Sequence, residues 1–264
     1  MSQRPFNISL LRVKDTDLPR LGLIKEMQIF GQGSSFHPDG LFSTTIFGAV
    51  GSEYRTKMFG YIDLKYPIIH PLVYKTIIGL KAFYKGIIDG SIYAVWDPKL
   101  RQFEKSTDPS AQTGFTFFAK HLPQLRFEES KSSKRMMSIQ FFNKAVGEGK
   151  HDLRYLLVMP AGLRDYVITP SGKPEEDEIN TFYRRILAQS QLLDPEIARR
   201  TPEAYDNVFS NLQKSVLELY EYLQSLLDGK HKLILGKWLS RKTFNSTRNV
   251  LCIVTGKQIG RAHV

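Results

Sequence analysis

The chain has 264 residues, 42% apolar and 24% charged, the proportions of a globular protein with room for one large or two ordinary domains. Lys and Arg outnumber Asp and Glu by 37 to 26, and the net charge of +11 points to a polyanionic partner, nucleic acid before an acidic membrane surface. The single cysteine, Cys252, excludes an internal disulfide and a cysteine-rich zinc site and is expected to be a small core residue, while the lack of a long apolar run or a signal-peptide core in residues 1–20 predicts a cytoplasmic protein.

Residues 1–35 hold short apolar alternations (Ile8, Leu10, Leu11, Val13), then Leu21 to Phe30, closed by the loop signal Gly31-Gln32-Gly33-Ser34-Ser35. Pro38-Asp39-Gly40-Leu41-Phe42 reads as a turn running into a β-prone segment, Ser43 to Gly48, together a hairpin fragment. Ala49 to Phe59 separates it from the strand-like Gly60-Tyr61-Ile62-Asp63-Leu64. His70 is expected to be packed or hydrogen-bonded, because no second histidine lies at metal-ligand spacing. Leu72 to Ile88, with Val73, Ile77, Leu80 and Phe83/Tyr84, has the spacing of one core helix.

In residues 89–150, Ser91 to Trp96 reads as a strand, Ser106 to Gly114 as a polar loop and Lys131 to Arg135 as an exposed basic turn. Core packing is expected for Phe115-Thr116-Phe117-Phe118, with base stacking as the alternative. For Lys134 and Arg135 a solvated loop is expected, with a phosphate contact as the alternative. Leu153 to Met159 is a buried strand by composition, and Pro160 to Arg164 and Tyr166 to Pro170 frame a polar loop, Ser171 to Asp177. Helical period runs from about Glu176 to Leu193, after the acidic run Glu175 to Glu178 that favours the positive end of a helix. Thr201-Pro202-Glu203 marks a second start, a capping hydroxyl with proline at the first helical position. Tyr205, Val208/Phe209, Leu212, Val216, Leu219, Leu223 and Leu226/Leu227 continue that helix, and the short connection predicts an antiparallel hairpin.

Asp228 to Ile253 is the most cation-dense stretch, with Lys230, Lys232, Lys237, Arg241, Lys242 and Arg248. Leu233, Ile234, Leu235, Trp238, Leu239 and Phe244 are expected to anchor it to a core while the cations reach phosphates. A solvated basic face is the alternative. The final residues, Gln258 to Val264, read as an artefact of sequence assembly, with the natural chain continuing beyond about Lys257.

Three of these segments resemble, in order, signatures of the largest, beta-prime-like subunit of multisubunit RNA polymerases. Asp39-Gly40-Leu41-Phe42 with Ile46-Phe47-Gly48, followed by Gly60 to Leu64, is similar to its N-terminal signature with the four-cysteine zinc ribbon of bacterial members cut out. Leu163-Arg164, Ile179 and Tyr183-Arg184-Arg185-Ile186 follow its order through the lid loop into the clamp helices. Gly229-Lys230-His231 and Gly236 to Leu251 resemble its switch region, with Ser240 in place of a glycine, Arg241-Lys242 swapped in order, and Phe244-Asn245 reversing an acidic-then-aromatic pair. The rudder loop that usually precedes the switch is missing.

The resemblance implies an α+β chain: a clamp-like region without zinc ribbon at 1–88, an unassigned α+β insert at 89–150, a strand and lid-like loop at 151–175, a clamp helical hairpin at 176–228 and a switch-like basic segment at 229–257. Lys230, Lys237, Arg241, Lys242 and Arg248 would contact nucleic acid, Ser171, Gly172 and Lys173 would belong to the lid that parts RNA from template, and Arg184 and Arg185 would contact a sigma-like initiation factor. No catalytic or metal-binding residue is implied here, since the aspartate motif that holds Mg2+ for nucleotidyl transfer would lie downstream. The implied partners are DNA template, RNA–DNA hybrid, a beta-like subunit and the remaining beta-prime-like sequence, in a phage-type enzyme working in a bacterial host. The rival class is a non-enzymatic basic nucleic-acid-binding or packaging protein whose helical hairpin serves oligomerisation. No nucleophile elbow, phosphate loop or paired-histidine metal motif supports a hydrolase.

Overall fold

The computed structural model describes residues 12–13, 15–33 and 35–239, and the fold is a mixed α+β one. In chain order it has β1 (Gly22–Leu23), α1 (Thr44–Phe47), β2 (Gly60–Ile69), α2 (Pro71–Leu80), α3 (Tyr84–Ile88), β3 (Ala94–Asp97), β4 (Gln102–Lys105), α4 (Phe115–His121) and α5 (Ser133–Gly147). After these come β5 (Asp152–Val158), β6 (Val167–Ile168), β7 (Pro174–Glu175), α6 (Ile179–Gln191), α7 (Pro195–Arg200) and α8 (Asp206–Leu227). The chain divides into one unit that ends at Glu221 and a second that begins at Tyr222.

Alternation of Ile62 and Leu64 with more polar neighbours makes β2 a half-buried strand, and it becomes the middle of a three-stranded sheet in the order β1-β2-β5. It pairs parallel with β1 at Gly22 and Gly60 and antiparallel with β5 from Gly60 opposite Val158 to Asp63 opposite Tyr155. Between Asp63 and Ile68 the register breaks: Lys65 takes φ +62 and its N–H donates to Asp63 Oδ1 at 2.8 Å. The bulge presses the Tyr66 ring onto Phe209 of α8, with centroids 4.0 Å apart, and lets Lys65 Nζ donate to the carbonyl of Leu193 just after α6, at 3.0 Å. One irregularity in a strand thus holds both helices of the hairpin.

The two helices run antiparallel, because the end of α6 and the start of α8 both meet this bulge while Arg185 of α6 pairs with Glu218 further along α8. Their connection is more structured than a simple turn. Asp194 caps α7, accepting from the N–H groups of Glu196 and Ile197 at 2.8 and 3.3 Å. Thr201, expected to cap the second helix, makes no side-chain cap; its backbone closes α7, a 3-10 turn follows at Pro202–Tyr205, and α8 begins only at Asp206. Asp206 instead accepts from the Thr116 N–H at 2.8 Å, tying the helix to α4.

Beyond the bulge, the buried Gln213 of α8 treats β2 as a neighbouring strand would: its Oε1 accepts from the Ile69 N–H and its Nε2 donates to the Ile69 carbonyl, each at 2.9 Å. Replacing Gln213 by leucine leaves two buried backbone groups unpaired and is expected to lower stability by about 2–4 kcal/mol. Chemical denaturation checks this, and a loss below about 1 kcal/mol would mean that water or a shifted backbone takes over the amide's role.

Several local expectations are overturned, one by a side-chain cap and the others by packing. The segment Ser43–Phe47 is a helical turn and not β-prone chain, because Ser43 Oγ accepts from the N–H groups of Thr45 and Ile46, each at 3.1 Å. The single helix expected over 72–88 is broken into α2 and α3 at Lys81, whose extended backbone turns Tyr84 into a cluster with Phe103, Phe118 and Phe127. The basic turn expected at 131–135 is the start of α5, which packs on α2 and buries Ile139, Phe141, Phe142 and Ala145. Within it Lys134 is exposed and Arg135 donates to the Leu80 carbonyl at 3.1 Å. Phe115 and Phe118 are fully buried, so both rings are core, as expected. His70 is likewise packed, its Nδ1 accepting from the Leu72 N–H at 3.2 Å as the cap of α2.

Candidate nucleic-acid interface

Eight of the 37 Lys and Arg residues, and none of the 26 Asp and Glu, follow Asp228, so residues 229–264 hold +8 of the net charge of +11. The rest of the chain is nearly balanced. The unbalanced stretch starts where α8 stops: Gly229 takes φ +130, a conformation that ends a helix cheaply only at glycine. Lys232 N–H then bonds back to the Gly229 carbonyl at 3.1 Å, and Leu233–Trp238 form one wide turn of π type, closed by the Leu239 N–H on the Ile234 carbonyl at 2.9 Å.

Lys230, Lys232 and Lys237 are all exposed, and no carboxylate among the described residues pairs with them. The apolar residues do not anchor the segment as expected. Leu233, Ile234, Leu235, Trp238 and Leu239 are exposed, with Trp238 at 72% and Leu239 at 69%. A single turn of six residues is too short to bury them by itself. Arg241, Lys242 and Arg248, together with Phe244 and Cys252, lie outside the described residues.

The lid-like residues Ser171, Gly172 and Lys173 form the exposed tip of a β-hairpin rather than of an open polar loop. Val167 pairs with Glu175 and Ile168 with Pro174, and Thr169 closes the tip. The Thr169 N–H donates to the Lys173 carbonyl at 2.9 Å, and Thr169 Oγ1 accepts from the Lys173 N–H at 3.2 Å. Gly172 supplies the positive φ, +77, that this tip requires. Val167 and Ile168 stand exposed on its arms.

Arg184 and Arg185, expected to meet an initiation factor, are both engaged within the chain. Arg184 grips both carboxylate oxygens of Glu176, one at 2.8 Å, and Arg185 pairs with Glu218 across the helical hairpin. A partner would have to displace or share those carboxylates. These residues and the lid-like tip belong to the first unit, whereas Lys230 and Lys237 belong to the second.

Two arginines that composition and spacing leave inconspicuous organise the segment 39–48. Arg55 is 1% exposed; its Nε and Nη2 bond both oxygens of Asp165 at 2.8 and 2.7 Å, and its remaining donors reach the carbonyls of Gly48 and Phe42 at 3.0 and 3.1 Å. Arg164, 2% exposed, donates to the Met159 and Leu41 carbonyls at 3.0 and 2.9 Å and to Asn180 Oδ1 at 2.8 Å. Its guanidinium lies over the rings of Phe42, Phe47 and Tyr183 at 5.6, 5.2 and 5.3 Å. Burial pulls the Arg164 pKa down to about 10, opposed by Tyr183, reinforced by Arg55 and opposed by Asp165 and Asp177, so it stays charged at neutral pH. Sequence reading passed over Arg55 altogether. Its one cue was a cation inside the short segment Ala49 to Phe59.

Among the described residues no group of three or more His, Cys, Asp or Glu side chains is placed to hold a metal ion, and no helix is long and apolar enough to cross a membrane. The sequence matches no family model, and no curated protein matches it.

Proposed function

We propose that this chain is the N-terminal part of a beta-prime-like subunit of a DNA-directed RNA polymerase, contributing clamp, lid and template-contacting switch elements to transcription. The observation that carries the reading is the segregation of charge: +7 of +11 lies in residues 229–257, the stretch that resembles the switch region, directly after the helical hairpin that resembles the clamp helices. Contacts from Lys230, Lys237, Arg241, Lys242 and Arg248 to phosphates would position a template strand without reading its sequence. Two of the resembling segments also meet in space, Arg164 donating to the Leu41 carbonyl at 2.9 Å across 123 residues.

In this reading α6 and α8 dock a sigma-like initiation factor, and the tip at Ser171, Gly172 and Lys173 parts RNA from template. A beta-like subunit and further beta-prime-like sequence complete the enzyme. The residues described here do not fit Mg2+, so no chemical step is assigned to them; the metal would be held by an aspartate motif elsewhere in the enzyme. Long-read sequencing of the source locus across the codon for Lys257 tests the proposal. An aspartate-x-aspartate-x-glycine-aspartate motif is expected downstream, in the same frame or in a neighbouring gene. A frame that closes shortly after Ile253, with no gene supplying that motif, would leave a basic nucleic-acid-binding or packaging protein as the better account.

A further inference from the structure

We infer that Trp238 is a stacking platform for an unpaired base, which makes the segment around it selective for single-stranded over duplex nucleic acid. This rests on the nucleic-acid reading above and adds the form of the ligand. An indole carries the largest apolar surface of any side chain and is usually packed away. Trp238 is instead 72% exposed, adjacent to Lys237 and within a stretch that has three exposed lysines and no carboxylate.

Lysines alone would serve any polyanion. An exposed indole beside them needs a flat apolar partner, and bases offer that face only when they are unpaired. Leu239, 69% exposed, is its immediate neighbour and can pack against the same base or its sugar. A protein partner would have to be acidic to face these lysines, and a membrane would have to be anionic; the single strand meets both the charge and the ring with one repeating unit.

The other tryptophan is differently placed. Trp96 stacks on His121 with centroids 4.8 Å apart and packs edge-on against Phe103 at 4.9 Å. Intrinsic emission can therefore separate the two by comparing the wild-type chain with Trp238→Phe.

The test titrates the full chain with oligothymidylate and with a duplex of equal length, following tryptophan emission and, in parallel, the anisotropy of the labelled nucleic acid. Single strands are expected to quench the Trp238 emission. Trp238→Leu should weaken single-strand binding by about 5- to 100-fold, Trp238→Phe should retain most of it, and duplex affinity should not change. Salt-dependent binding without quenching, with Trp238→Leu at wild-type affinity, overturns the stacking platform and leaves the nucleic-acid reading standing. Equal quenching by duplex overturns the selectivity. No binding of either nucleic acid overturns the reading itself, and a blue shift on phosphatidylserine vesicles in that case would reassign the segment to a membrane surface.

Discussion

Affinity for single-stranded or forked DNA is expected to fall by about 10³–10⁵ between low and moderate salt if six or more phosphates are engaged. Residues 229–257 carry seven cations and no Asp or Glu, so their charge is not neutralised by acidic neighbours in sequence, and each phosphate they contact releases condensed counterions. Alanine at Lys230, Lys232 and Lys237 together should lower the slope of log affinity against log salt by about 2, at roughly 0.7 per phosphate for a single strand. The same triple variant should keep its folding stability within about 0.5 kcal/mol, because all three side chains are exposed. A flat salt response would count against both the interface and the polymerase reading.

Replacing Arg164 by alanine is expected to remove about 3–5 kcal/mol of folding stability. Three acceptors lose their donor at once, the carbonyls of Met159 and Leu41 and the Asn180 side chain, and the rings of Phe42, Phe47 and Tyr183 are left facing a cavity. Asp165→Ala should be comparably damaging for a different reason: it strands the Arg55 guanidinium in a site where it is 1% exposed. Domains of this size have about 5–15 kcal/mol in hand, so either variant would unfold at much lower urea concentration. A loss under about 1 kcal/mol for Arg164→Ala would show that the surrounding carbonyls find water, and that segment 39–48 does not depend on the arginine.

The contrast between these two sets of cations marks what could be read from the chain. The mixed α+β class, the strands at Gly60 and Leu153 and the two long helices were legible, because each has a hydrophobic period that local sequence states directly. The break at Lys81 and the start of α5 were not, since Gly79 falls inside α2 without ending it, no glycine or proline marks the start of α5, and both points are decided by where Tyr84 and Phe142 find partners. Thr201 had the right chemistry for a cap and lost the role because the end of α7 had already fixed its backbone. In the candidate interface, sequence located the cations Lys230 and Lys237 but misjudged Leu233, Trp238 and Leu239, because whether an apolar residue is covered depends on the rest of the fold. Arg55 looked like any surface arginine; only the approach of Asp165, distant in sequence, makes it interior.

The side chain of Gln213 has a consequence for the order of folding. Strand β2 is translated early, yet the longer of its two partner strands lies at Asp152–Val158 and its last backbone groups wait for an amide 144 residues downstream. Contacts of such separation form late, after the intervening loop has been closed at an entropic cost. On the ribosome, the N-terminal part of the chain must stay unsettled until α8 has emerged, with the Ile69 N–H and carbonyl open to other partners. A nascent chain arrested before Gln213 should therefore be the form that chaperones hold and proteases cut, and release past that point should make the same residues resistant.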